Sequence, residues 1–159
     1  DEEIKLYGPG TDSGTFDYFK EAIIGKKNNI RADFTKSEDD NVLVQGVAGS
    51  KYAMAFFGYA YYAENKEKLK VVPIDGGNGP VKPTSETIND GSYTPLSRAI
   101  FIYVNPESSK KKEVDEFVKF YLDNTNTLSA EVGYVALPDK LLLEAKNRYN
   151  NKMTGTWLE

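Results

Sequence analysis

Ile4-Lys5-Leu6-Tyr7-Gly8-Pro9-Gly10-Thr11-Asp12-Ser13-Gly14-Thr15-Phe16-Asp17-Tyr18-Phe19 is the stretch on which the fold turns. Residues 4–7 predict a short strand, and Gly8 to Gly14 crowd together the residues that make turns. From Thr15 the period changes. Phe16, Phe19 and Ile23 recur at helical spacing, and Gly25 supplies a stop. The first unit is therefore strand, glycine-rich turn, helix. Such a unit aims backbone N–H groups and the positive end of a helix dipole at one point in space.

Working outward, a second helix is predicted from Asp39 or Asp40, either of which can cap it, through Leu43 and Val47 to Gly49. Ala53-Met54-Ala55-Phe56-Phe57 reads as a short buried strand broken by Gly58, and Tyr59 to Ala63 as a brief helix. The run 69–74 predicts another strand, with Pro73 placing its end near an edge. Residues 75–92 shift to Gly, Pro, Ser, Thr and Asn and predict one long irregular connection. Ala99-Ile100-Phe101-Ile102-Tyr103-Val104 is the most strand-like run of all. Beyond it, Val114, Phe117, Val118, Tyr121 and Leu122 make an amphipathic helical stripe, and 128–135 and 139–149 read as two further helices. Alternating elements of this length predict an α/β lobe, a mixed and mostly parallel sheet flanked by helices. The expected organisation is one lobe over 1–159: sheet and helices in 4–74, the connection 75–92, then a crossover strand and terminal helices in 93–159.

Composition narrows the chemistry. The 159 residues carry 20 Lys plus Arg against 24 Asp plus Glu, a net charge of −4, with no histidine and no cysteine. Ser-His-Asp and Cys-His nucleophilic machinery, zinc sites of nitrogen and sulfur, disulfides and histidine pH switches are excluded. No basic stripe marks a nucleic-acid partner. Of the like-charged runs, Lys110 to Lys112 and Glu38 to Asp40 both read as solvated helix starts. No apolar run reaches the ~20 residues of a membrane span, and Asp1-Glu2-Glu3 does not open a signal peptide. A soluble chain that does not span a membrane, with no metal or cofactor, is expected.

Thr11-Asp12-Ser13-Gly14-Thr15 is the segment that carries chemistry. Hydroxyls and a glycine at the mouth of a helix offer O–H and N–H donors to a tetrahedral oxyanion without a formal counter-charge. The same residues also read as an N-cap, with Ser13 or Thr15 as the capping side chain. Asp12 has two readings as well. As an acceptor it favours a protonated phosphate over fully ionised sulfate; as a structural residue it bonds nearby N–H groups and holds the turn. The Gly-Lys-Ser/Thr ending of a Walker A loop is missing.

Residues 8–19 resemble the ligand loop and first helix of the second domain of PstS-type phosphate-binding proteins, the extracytoplasmic receptors of a phosphate ABC importer. Two later stretches are similar to the same family. Val44-Gln45-Gly46-Val47-Ala48 leading to Ala53 through Tyr62 resembles its helix and following strand, and Tyr93-Thr94-Pro95-Leu96-Ser97-Arg98 resembles its return crossover. The three motifs occur in order and cover nearly the whole chain.

The resemblance implies a type II periplasmic binding protein-like lobe and a receptor roughly twice this length. It implies that the chain is a C-terminal half, with partners in inorganic phosphate, an ABC transporter permease and an N-terminal lobe not included in it. It also implies an extracytoplasmic location in the periplasm or at the cell surface. Carried over by position, the ligand groups are the N–H and hydroxyl groups of Ser13, Gly14 and Thr15, flanked by Thr11 and Asp12. Several family members carry an arginine a few residues earlier, where this chain has Gly8-Pro9-Gly10-Thr11. Arg98, on the crossover segment, is the candidate replacement cation, since a guanidinium pairs bidentately with phosphate; a surface or carboxylate-paired arginine is its other reading. Two alternatives stand beside the phosphate receptor: one for another oxyanion or small polar solute, and a ligand-free signalling or structural derivative. An enzyme is not expected, since no motif makes two carboxylates converge on a pocket.

Overall fold

The computed structural model describes residues 1–155 and 157. It comprises two compact units, Asp1–Ser97 and Arg98–Glu159.

The first unit is built on β1 (Lys5–Gly8), which pairs in parallel with β2 (Thr35–Lys36) on one side and β3 (Ala53–Ala55) on the other, giving the order β2-β1-β3. The register sets Tyr7 beside both Thr35 and Ala55, so all three strands end at the same edge. Helix α1 (Gly14–Ile24) follows β1, α2 (Asp40–Ala48) follows β2, and the short α3 (Tyr59–Ala63) follows β3. Each strand thus delivers a helix N-terminus to one end of the sheet. Both longer helices start on side-chain caps: Ser13 Oγ accepts from the Thr15 N–H, and Asp39 Oδ1 from the Asn41 N–H at 2.9 Å.

The core of this unit is small and aromatic at its margin. Leu43 is fully buried, with Phe16 and Val44 beside it in the buried set. The Phe19 ring stacks on Phe56 at 3.9 Å between centroids, and Phe16 stacks on Phe34 at 6.4 Å. Two close approaches fix the layers. A Cβ on Gly46 of α2 would stand 2.5 Å from the Tyr7 ring, and one on Gly8 would stand 2.6 Å from the Phe56 ring. Glycine at these positions lets helix and side chains reach the sheet at a distance no other residue permits. The Tyr18 hydroxyl donates to the Pro95 carbonyl at 2.6 Å and so anchors α1 to the end of the unit.

Two predicted features of this unit differ in the structure. The run 69–74 contributes only its last residue to a strand: β4 (Ile74–Asp75) pairs antiparallel with β5 (Pro80–Val81) in a separate hairpin. Pro73 lacks an N–H for a ladder, and the Leu69 N–H turns back to the Asn65 carbonyl. The hairpin is closed by Asp75, whose carboxylate accepts from the N–H groups of Gly77 and Gly79, both at positive φ. The connection 75–92 is not irregular throughout. It also holds α4 (Ser85–Asn89), started by a capping box in which Thr84 and Thr87 each accept from the other's backbone N–H.

The second unit is helical among its described residues. Asn105 Oδ1 accepts from the N–H groups of Glu107 and Ser108 and starts a 3-10 turn at Ser108–Lys110. Helix α5 runs unbroken over Lys112–Glu131, with Glu113 and Asp115 in its first turn favourable to the helix dipole. The predicted helix 128–135 is not a separate element: 128–131 are the last turn of α5, and Gly133 at φ 81° follows its end. Helix α6 spans Asp139–Asn150. The two are tied by side chains. Asn126 donates to the Leu137 carbonyl at 2.8 Å and accepts from the Leu137 N–H at 3.1 Å, replacing a strand neighbour for the chain just before α6. Asp115 takes the Lys119 ammonium at 2.7 Å and the Tyr149 hydroxyl at 3.2 Å. The run 99–104 forms no strand. Ile100, Phe101, Ile102 and Tyr103 are exposed, Tyr103 to 84%. β-propensity records how a residue fits a paired, half-buried surface, so a run without a neighbour has nothing to pair with.

Candidate functional site

The C-terminal ends of β1, β2 and β3 open into residues 9–15, 37–41 and 56–60, and the N-termini of α1, α2 and α3 face the same edge. In open α/β sheets this edge is where ligands bind. The loop after β1 is the best formed of the three. Gly8, Pro9 and Gly10 are buried, and the chain turns back on itself where the Ser13 N–H donates to the Gly10 carbonyl at 3.1 Å.

From there the first turn of α1 has four N–H groups to place. The Ser13 N–H is used in the turn, and that of Thr15 is taken by Ser13 Oγ at 3.2 Å. Those of Gly14 and Phe16 remain at the helix mouth. The Ser13 oxygen serves as a cap, which is the structural reading of the motif; its O–H hydrogen remains available to donate, because a hydroxyl accepts and donates at once. Capping and anion binding are thus compatible at this residue. Thr11, Asp12 and Gly14 are exposed, while Ser13 and Thr15 are half-buried. Arg98, the candidate cation, falls in the second compact unit.

Sequence reasoning missed the acidic neighbours of this loop. Glu38, read as part of a solvated helix start, lies against Gly10 so closely that a Cβ there would meet its carboxylate. Asp40 accepts a hydrogen bond from the backbone of Gly58, which links the starts of α2 and α3. Burial raises its pKa above the usual carboxylate range, the Gly58 bond opposes the shift, and Asp39 and Glu38 add to it. The signal was legible in principle: a run of acids directly after a parallel strand must fall at the strand-end edge. The register also sets Lys36 of β2 beside Gly8, bringing a cation to the side of the loop. Among the described residues no cluster of acids could hold a metal ion, and no helix is long and apolar enough to cross a membrane.

The loop thus sets hydroxyls and backbone N–H groups at the carboxyl edge of a parallel sheet. Residues 1–125 match the family model described as a PBP superfamily domain. The chain belongs to the PBP superfamily. This PBP domain is 49% identical over 154 residues to Protein SphX of Synechococcus elongatus, covering 96% of the chain and 45% of that protein. It is 42% identical over 142 residues to the phosphate-binding protein PstS of Staphylococcus haemolyticus, covering 88% and 44%. Among solved structures, a possible phosphate binding protein from Planctomyces limnophilus superposes with a TM-score of 0.84 at 46% identity, covering 97% of this chain and 55% of that one. A putative phosphate ABC transporter substrate-binding protein with bound phosphate, from Clostridium perfringens, superposes at 0.64 and 21% identity, covering 87% and 54%, and shares the fold. The PBP domain spans about half the length of the curated relatives it matches.

Proposed function

We propose that this PBP domain is the phosphate-contacting half of an extracytoplasmic receptor, which passes inorganic phosphate to the permease of an ABC importer and catalyses no reaction. One observation carries the reading: the first turn of α1, with the N–H groups of Gly14 and Phe16 and the hydroxyls of Thr11, Ser13 and Thr15, stands at the carboxyl edge of the parallel sheet. The names of the relatives supply the ligand class. Neutral donors on a helix N-terminus stabilise an oxyanion without a fixed cation, so a net charge of −4 is no obstacle. Asp12 accepts the proton of hydrogen phosphate, and Arg98, on the sequence argument alone, supplies a cation.

The other half of the receptor supplies the remaining donors. The exposed apolar run 99–104 supports its existence, since Ile100, Phe101 and Ile102 gain by a covering surface. Calorimetric titration of the complete two-lobe protein with phosphate is expected to give tight binding, and of residues 1–159 alone much weaker binding, because half the donors are missing. Replacing both Ser13 and Thr15 by alanine in the complete protein lowers phosphate affinity; unchanged affinity overturns the assignment of the loop. Displacement of phosphate by equimolar sulfate would instead favour a receptor for another oxyanion.

A further inference from the structure

Tyr18 stands one turn into α1, about 4.5 Å along the helix axis from Thr15, and its hydroxyl bonds outside the helix. It donates to the Pro95 carbonyl at 2.6 Å and reaches the Ser97 carbonyl at 3.2 Å, one hydrogen shared between acceptors 77 and 79 positions along the chain. Ser97 is the last residue of the first unit. The chain therefore leaves this unit fastened to the helix whose mouth is the anion loop. The fastened segment, 93–97, belongs to no strand or helix. The Tyr93 N–H ties it to α4 through the Thr87 carbonyl at 2.8 Å, and Ser97 closes it on itself, its N–H and hydroxyl both donating to the Tyr93 carbonyl at 3.0 and 2.8 Å. The turn between β4 and β5 abuts it, with Gly76 so near the Thr94 carbonyl that a Cβ there would clash. Tyr18 adds the tie to α1, and it does so between half-buried partners, where a hydrogen bond competes less with water.

We propose that Tyr18 is a positioning residue for the anion loop, linking order in 93–97 to occupancy of the first turn of α1. The proposal rests on the reading of that turn as the phosphate site. First helical turns fray, because their N–H groups lack partners within the helix. An anion held by the N–H groups of Gly14 and Phe16 fixes the turn and with it the base of the Tyr18 side chain. The hydroxyl then stays on Pro95 and Ser97. The link is reciprocal: with the hydroxyl on those carbonyls, the turn is presented in its binding shape before phosphate arrives. Because its hydroxyl is engaged by the two carbonyls, Tyr18 acts through the helix and not on the anion.

The test is amide hydrogen exchange of the complete two-lobe protein with and without inorganic phosphate, beside calorimetric titration. In the parent, phosphate is expected to slow exchange at 13–16 and at 93–97 together. Tyr18→Phe removes the hydroxyl and keeps the ring. It should retain the slowing at 13–16, lose it at 93–97, and lower phosphate affinity about three- to tenfold, the net worth of one hydrogen bond. Ser97→Ala is the control for simple loosening. It removes the hydroxyl bond to the Tyr93 carbonyl, speeds exchange at 93–97 in both states, and leaves the phosphate-dependent slowing in place. Slowing at 93–97 that survives Tyr18→Phe, or an unchanged affinity, overturns the inference and leaves the loop standing as the phosphate site. No slowing at 13–16 in the parent overturns the loop reading and the inference with it.

Discussion

Replacing Ser13 by aspartate separates the two duties of that residue. Ser13 caps α1 through an oxygen 3.2 Å from the Thr15 N–H, and Asp ranks with Ser as a capping residue. A carboxylate there also meets the positive end of the helix dipole, worth about 0.3–1 kcal/mol. The ligand-free variant is therefore expected to be as stable as the parent or slightly more so. Binding moves the other way. The new charge would sit about 4 Å from a phosphate held at the same first turn, which at an effective dielectric of about 20 costs about 4 kcal/mol per unit charge. Phosphate affinity should then fall by about 10³-fold or more. Ser13→Ala is the contrast: it removes the cap, costing about 1 kcal/mol of stability, and one donor, costing about tenfold in affinity. Thermal melts and calorimetric titration of the complete protein measure both quantities. Ser13→Asp binding phosphate within about fivefold of the parent refutes the placement of the anion at this turn.

Two further substitutions probe how the site is held. Gly46→Ala places a methyl 2.5 Å from the Tyr7 ring; the overpacking cost of about 1–3 kcal/mol exceeds the ~1 kcal/mol gained in helix propensity. A melting temperature lowered by several degrees is expected, and a raised one would show that α2 can lift off β1 freely. Asp40→Asn keeps an acceptor for the Gly58 N–H while removing a carboxylate whose pKa is raised by burial. A raised folded-state pKa means that ionisation disfavours the fold. The penalty is absent below the unfolded-state pKa, near 3.9, and complete above the folded one. The variant should therefore gain over the parent at pH 7 and lose that gain by about pH 3, followed by urea unfolding at each pH. A pH-independent difference contradicts the burial argument.

Local signals were legible where neighbours in sequence are also neighbours in space. The strand and helix around Gly8 to Thr15 followed from period and turn residues, and the Asp39 cap from its place before Leu43 and Val47. Prediction lost ground where an element depends on a partner. The runs 69–73 and 99–104 have β-branched residues and no ladder to join, while α4 hides its start in a Thr84/Thr87 box that differs from the usual Ser/Thr-x-x-Glu/Gln pattern. Glu38 at Gly10 illustrates the same limit for the site. Only the parallel register of β1 and β2 reveals that a charge 28 positions along the chain returns to the loop.

The Asn126 amide gives the second unit a chemical lifetime. Its NH₂ and C=O satisfy both backbone groups of Leu137 at once, a reciprocal pair that only a carboxamide can supply. Hydrolysis of that amide, equivalent to Asn126→Asp, keeps the acceptor for the Leu137 N–H and sets a negative oxygen against its carbonyl. The loss of one ammonia molecule would thus turn a clasp into a repulsion and release the start of α6.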